Sequence, residues 1–99
     1  MTVTKQRAGD KLVISVAGRL DTRTAPDFLT GMASELDTLQ NLVLDFDKLD
    51  YISSVGLQVL LKVEKKVKAK GGTITLIHVS AEIQEVFEMT GFTGILTIE

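Results

Sequence analysis

From Asn41 onward the chain alternates between short apolar runs and amphipathic helical stripes, and this alternation limits its fold more than any other feature. Asn41 to Phe46 is an apolar run of strand length. From Val55 to about Lys70 the spacing turns helical, with Val59, Leu60, Val63 and Val67 on one stripe flanked by Leu57. Thr73 to Val79 is a β-branched run that reads as a strand. Ser80 is placed to cap another helix, with Ile83, Val86 and Phe87 inward and Glu82, Glu85 and Glu88 outward. Ile95 to Ile98 closes the pattern with a short strand. Strands separated by helices in this way pair in parallel through right-handed crossovers.

The first forty residues add a hairpin and a helix. Val3 to Arg7 reads as a short strand, Ala8-Gly9-Asp10 as a turn, and Lys11 to Ala17 as an alternating strand that Gly18 ends. Leu12, Ile14 and Val16 share one face, while Val13 and Ala17 lie on the other. Gly18 to Arg23 is a polar loop. Thr24 then reads as an N-cap, with Pro26 in the first turn and Asp27 completing a capping box. Phe28, Leu29, Met32, Leu36 and Leu39 fall on one helical face. Gly31 within that helix costs about 1 kcal/mol relative to Ala, so the helix depends on packing.

Asp47 to Tyr51 reads as a connector. Glu64 and Lys68 have the favourable order for an i,i+4 pair, and Gly71-Gly72 stops the helix that carries them. Gly91 suits the end of the third helix. The expected architecture is α/β, in the order β-β-α-β-α-β-α-β. A mixed sheet of four to five strands would carry three main helices, packed mostly on one face. Residues 1–99 read as one domain.

Composition removes several function classes. A chain of 99 residues buries roughly two thirds of its unfolded surface, enough for one core. With 44% hydrophobic and 24% charged residues it is globular rather than disordered. A net charge of -2 without a basic patch argues against direct nucleic-acid binding, and the lack of Trp argues against base stacking. The absence of Cys excludes disulfides, thiol catalysis and cysteine-bound zinc. No apolar run approaches the ~20 residues that span a bilayer, and the first residues lack a signal-peptide core. The expectation is a cytoplasmic protein without membrane insertion.

Catalytic chemistry has little to work with. His78, the sole histidine, falls in an apolar strand and reads as structural or partly exposed. A serine hydrolase would need it beside Ser53 or Ser54, and there is no Gly-x-Ser-x-Gly elbow. Asp45, Asp47 and Asp50 could hold a hard cation in principle, but without EF-hand spacing they read as a solvated strand end. Ser54-Val55-Gly56-Leu57 lacks the ending of a phosphate-binding loop. No catalytic residue, cofactor or metal is expected.

Ser53 and Ser54 remain, at a predicted helix start. A serine there is first of all a cap, worth about 1 kcal/mol. The same position favours an anion, including a phosphate carried by the serine itself.

The surrounding residues sharpen this. Asp50-Tyr51-Ile52-Ser53-Ser54-Val55-Gly56-Leu57, followed by Leu60-Leu61, resembles the signature of bacterial anti-sigma factor antagonists of the STAS domain family. Gly18-Arg19-Leu20-Asp21-Thr22 is similar to the family's Gly-x-Leu/Ile-Asp loop, and Asn41 to Phe46 to its central strand. The common family pattern is Asp-Ser-Ser/Thr-Gly-Leu, with the first hydroxyl residue phosphorylated. Anchored on Gly56-Leu57, the acceptor is Ser54, with Ser53 as second choice. Ser53 then stands where the family has Asp, and Val55 where it has a second hydroxyl.

The resemblance implies a transcription regulator that works by partner switching. It would bind an anti-sigma factor with serine kinase activity, release a sigma factor, and be switched by phosphorylation and a serine phosphatase. Such a chain is not itself an enzyme, and it would be a monomer or weak dimer. Partner contacts are expected at Asp21, Thr22, Ser53, Ser54, Val55, Gly56 and Gln58. Asp21 has a second reading, as an Asx-turn carboxylate. The alternatives are an unphosphorylated STAS subunit of a lipid-transport or signalling assembly, and a small STAS module binding a nucleotide or lipid.

Overall fold

The computed structural model describes residues 1–36 and 41–99. Strands β1 (Thr2–Ala8) and β2 (Lys11–Leu20) form the expected antiparallel hairpin, with Val3 opposite Val16 and Lys5 opposite Ile14. Helix α1 (Ala25–Leu36) leads towards β3 (Asn41–Asp45), and β4 (Leu49–Ile52) leads into α2 (Ser54–Ala69). Then follow β5 (Thr73–Ile77), α3 (Ala81–Thr90), a 3-10 turn at Phe92–Gly94 and β6 (Thr97–Ile98). The expected role of Leu39, and the side chain of Leu36, lie outside the described residues.

The sheet runs β1-β2-β3-β5-β6, with β4 paired separately to β2. All pairs after the hairpin are parallel, as the helical connections require. Alternation decides which face is buried. Leu12, Ile14 and Val16 of β2, Leu42 and Leu44 of β3, and Ile74 and Leu76 of β5 are buried. They share one core with Phe28 and Met32 of α1, Leu60, Val63 and Val67 of α2, and Ile83 and Phe87 of α3. The intervening residues Val13, Ser15, Val43 and Thr75 are only half-buried, so the helices cover one face.

Sequence and structure part at one place that matters. Gly18 does not end β2. The strand continues to Leu20 through an irregularity at Gly18/Arg19, with Gly18 at φ 100 and its N–H donating to the Lys48 carbonyl at 2.9 Å. The first half of β2 pairs with β3 and its end pairs with β4, so the segment read as a connector supplies a sixth strand. Only four residues long, β4 buries its two ends, Leu49 and Ile52, and exposes Asp50 and Tyr51. That pattern has no period of two to detect.

Smaller differences have local causes. β5 stops at Ile77 rather than Val79, because Asp45↔Ile77 is its last pair with β3. Ile95 caps the end of the 3-10 turn instead of starting β6, since the N–H groups of Ile95 and Leu96 both bond the Phe92 carbonyl. Lys68 Nζ meets Glu64 Oε1 at 2.8 Å as expected, but Glu64 is itself buried at 3% exposure.

Candidate functional site

The predicted serine turn forms where β4 delivers the chain into α2. Ser53 is the N-cap: its backbone is extended, and its Oγ accepts from the Gly56 N–H at 3.2 Å. Its carbonyl accepts the first helical bond, from Leu57 at 2.9 Å. Ser54 begins the helix, one residue earlier than the periodicity indicates, and is exposed while Ser53 is half-buried. The first-turn N–H groups lack partners within the helix, and α2 has no acidic residue in that turn. The site is therefore locally electropositive and unoccupied by a protein carboxylate from its own first turn.

Gly56 brings this turn against the sheet. A Cβ at position 56 would lie 2.6 Å from the Leu20 carbonyl oxygen and 2.8 Å from Ile52 Cγ1. That same Leu20 carbonyl accepts the Ser53 N–H at 2.9 Å. The end of β2 and the start of α2 are thus joined at one atom, and only a residue without a side chain allows the approach. Leu57 is buried behind the turn, Val55 packs partly against the core, and Gln58 is exposed.

Asp21 follows directly from Leu20, which places its loop beside the serine turn. Its Oδ1 accepts from the N–H of Arg23 at 3.0 Å and of Thr24 at 3.2 Å. Its Oδ2 lies 3.5 Å from Arg19 Nε. Desolvation raises the carboxyl's pKa, but the backbone hydrogen bonds from Arg23 and Thr24, with Arg19 and the Thr24 hydroxyl, outweigh it and hold it below its ordinary value. This is the geometry of an Asx-type loop carboxylate. Thr22 is exposed at the loop's tip.

Thr24 differs from its expected role. Its carbonyl accepts from the Phe28 N–H, which puts it at the cap position. Its hydroxyl, however, donates to the Arg19 carbonyl at 2.7 Å and accepts from the Asp21 N–H at 2.9 Å. It orders the Asp21 loop, its acceptor side being taken by the Asp21 N–H and its proton by the Arg19 carbonyl.

The remaining candidates lie elsewhere. His78 is not within a strand; it follows β5 at φ 56, exposed, with Nδ1 at 3.0 Å from Asp45 Oδ1. Asp45 also accepts from the Asp47 N–H at 3.0 Å. Asp45 thus serves its own strand end, and the described residues contain no group of three or more His, Asp or Glu able to hold a metal. Among the described residues no helix is long and apolar enough to cross a membrane.

Sequence reasoning passed over Arg19 and Tyr51, whose side chains meet with the guanidinium 4.2 Å from the ring centroid. They are neighbours only because β2 pairs with β4. Reading Asp47 to Tyr51 as a connector removed the signal that would have found them.

Comparison with known proteins agrees with this geometry. The family model of the STAS domain matches residues 2–99. The chain is 31% identical to the candidate anti-sigma factor antagonist BtrV of Bordetella bronchiseptica, over 99% of this chain and 85% of that one. It is 28% identical to the anti-sigma-B factor antagonist of Bacillus subtilis, covering 95% and 85%. In fold it is similar to the Bacillus cell-fate determinant SpoIIAA in its phosphorylated form, at TM-score 0.77 and 17% identity, covering 99% and 91%. The unphosphorylated form of the anti-sigma factor antagonist SpoIIAA gives TM-score 0.79 at 16% identity, covering 99% and 87%. A sheet with the helices on one face, a serine turn packed on the Leu20 carbonyl, and a match across nearly every residue lead to one conclusion: the chain belongs to the STAS domain family, among the anti-sigma factor antagonists.

Proposed function

We propose that this chain is the phosphorylatable member of a partner-switching pair, built as a single STAS domain and working in the cytoplasm. Unmodified, it binds an anti-sigma factor, which then releases its sigma factor. That anti-sigma factor is a serine kinase. It phosphorylates Ser54 and so weakens its own hold on the antagonist, and a serine phosphatase reverses the change. The chain acts as a regulator, and ATP and the phosphoryl-transfer machinery belong to the kinase. Asp21, Thr22, Ser53, Val55, Gly56 and Gln58 form the docking surface around the acceptor.

The observation that carries this reading is the division between the two hydroxyls. Ser53 Oγ is engaged as the cap acceptor and half-buried, whereas Ser54 stands exposed at the first helical position. A kinase needs the second kind of hydroxyl. A phosphate adds about -1.5 to -2 charges, which the helix N-terminus favours by up to ~2 kcal/mol. The domain therefore tolerates the modification, while an interface closed over Ser54 receives bulk and unpaired charge. The fold likeness to SpoIIAA in both its forms supports a switch that needs no refolding.

The test is intact mass after incubation with ATP and each anti-sigma serine kinase of the same genome. One added phosphate is expected on the wild type and on Ser53→Ala, and none on Ser54→Ala. Labelling that persists in Ser54→Ala and disappears in Ser53→Ala would move the acceptor to Ser53.

A further inference from the structure

Arg19 and Tyr51 lie opposite each other in the parallel pairing of β2 and β4. Their neighbours Leu20 and Ile52 are buried at 0% and 4% exposure, whereas Arg19 and Tyr51 themselves lie outside the core. Both are open to solvent, the Arg19 side chain at 62% exposure and Tyr51 at 42%. The guanidinium lies over the phenol ring, and Arg19 Nε also reaches Asp21 Oδ2. Between Arg19 and Asp21, the Leu20 carbonyl takes the Ser53 N–H. Tyr51, Arg19, Asp21 and Ser53 therefore form one connected surface, continuous with the serine turn.

Neither side chain of this exposed stack adds to the core. The pair is well suited to binding. Both residue types are enriched where interfaces are strongest. The stack also holds the guanidinium in place beforehand, so less side-chain freedom is lost on docking. Its contacts use the guanidinium face and Nε, which leaves the Nη edge for an acceptor on another molecule.

We infer that Arg19 and Tyr51 are the second half of the docking surface for the anti-sigma factor that meets Ser54. That partner presents a carboxylate to Arg19 and a flat apolar group to Tyr51. This rests on the function proposed above. The interface then extends from the start of α2 across the ends of β2 and β4, rather than only along α2 towards Gln58.

Titration calorimetry with the purified anti-sigma serine kinases of the same genome tests it. Wild type and Ser54→Asp are measured first; a wild type that binds none of these kinases overturns the functional reading itself. Given binding, Tyr51→Ala and Arg19→Ala are expected to weaken it by about tenfold or more each. Arg19→Lys, which keeps the charge and loses the planar stack, falls between. Met89→Ala, at an exposed position on α3, stays within about twofold. If either alanine variant fails to fold, Arg19→Gln, confined to an exposed side chain, carries the measurement. Arg19 and Tyr51 variants that bind within about twofold of wild type, while Ser54→Asp loses affinity, would refute the inference and leave the proposed function standing.

Discussion

Two helices in this molecule begin with the same device. Ser53 Oγ accepts from the Gly56 N–H at 3.2 Å, and Ser80 Oγ accepts from the Ile83 N–H at 3.2 Å. Locally the caps are equivalent, yet only one sits in a candidate switch. After Ser80 come Ala81 and Glu82, so α3 already carries a carboxylate in its first turn. A phosphate there would meet a like charge. After Ser53 comes an exposed Ser54, with no acidic residue in the first turn of α2. Three residues past the cap, α3 has Ile83, buried in the core, and α2 has Gly56, pressed against the Leu20 carbonyl. A cap is a local hydrogen bond. A docking site needs an accessible group, a vacant charge position and a neighbouring loop; residue order supplies the second, and tertiary contact the neighbouring loop.

Substitution can break this contrast in a graded way. The largest effect is expected from Ser54→Asp, which should weaken binding to the cognate anti-sigma kinase by about a hundredfold to a thousandfold, or roughly 3–4 kcal/mol. Ser80→Asp should leave that affinity near wild type, and titration calorimetry reads both. Equal losses would show that charge at any helix start is enough, and the contrast would fail.

Next in size is Gly56→Ala. The new Cβ meets backbone oxygen and cannot be relieved by a rotamer change, so a loss of about 1–3 kcal/mol is expected in urea unfolding. Ala at this position with unchanged stability would mean that α2 can retreat from Leu20. Ser53→Ala and Ser80→Ala should each cost about 1 kcal/mol, because their caps match in geometry. A large gap between them would mean that the Ser53 cap does more than satisfy one amide.

The smallest effect concerns pH. Asp21 is held below its ordinary value of 3.8, so the stability it lends is present above that pH and is lost as pH falls through the lowered folded value. Asp21→Asn should therefore flatten the acid limb of the stability profile below about pH 4 and leave its shape at neutral pH unchanged. An identical acid limb would separate the carboxylate from loop order.

Much of this was legible from residue order. The helical stripes of α2 and α3, the buried alternation of β2 and the apolar β3 and β5 carry strong periodic signals, because each buries one face of a long element. The serine turn was legible through its motif. β4 was not, since four residues with buried ends have no alternation to read. Losing β4 also hid the Arg19–Tyr51 stack and the continuation of β2 past Gly18. Thr24 stands at the cap position as the residue order predicts, but the bond of its hydroxyl to the Arg19 carbonyl is not legible, because that carbonyl belongs to a strand end that pairs with β4.

By itself, the order of residues determined that hydrophobic faces recur at helix and strand spacing, that a Ser-Ser pair opens the second helix, and that no cysteine is present for thiol or disulfide chemistry. Those are one-dimensional properties of side-chain type and spacing. The tertiary structure decided why position 56 must be glycine and which residues flank the serine turn. Each of these depends on β2 meeting β4 and α2, a contact between segments some thirty residues apart that no local pattern encodes.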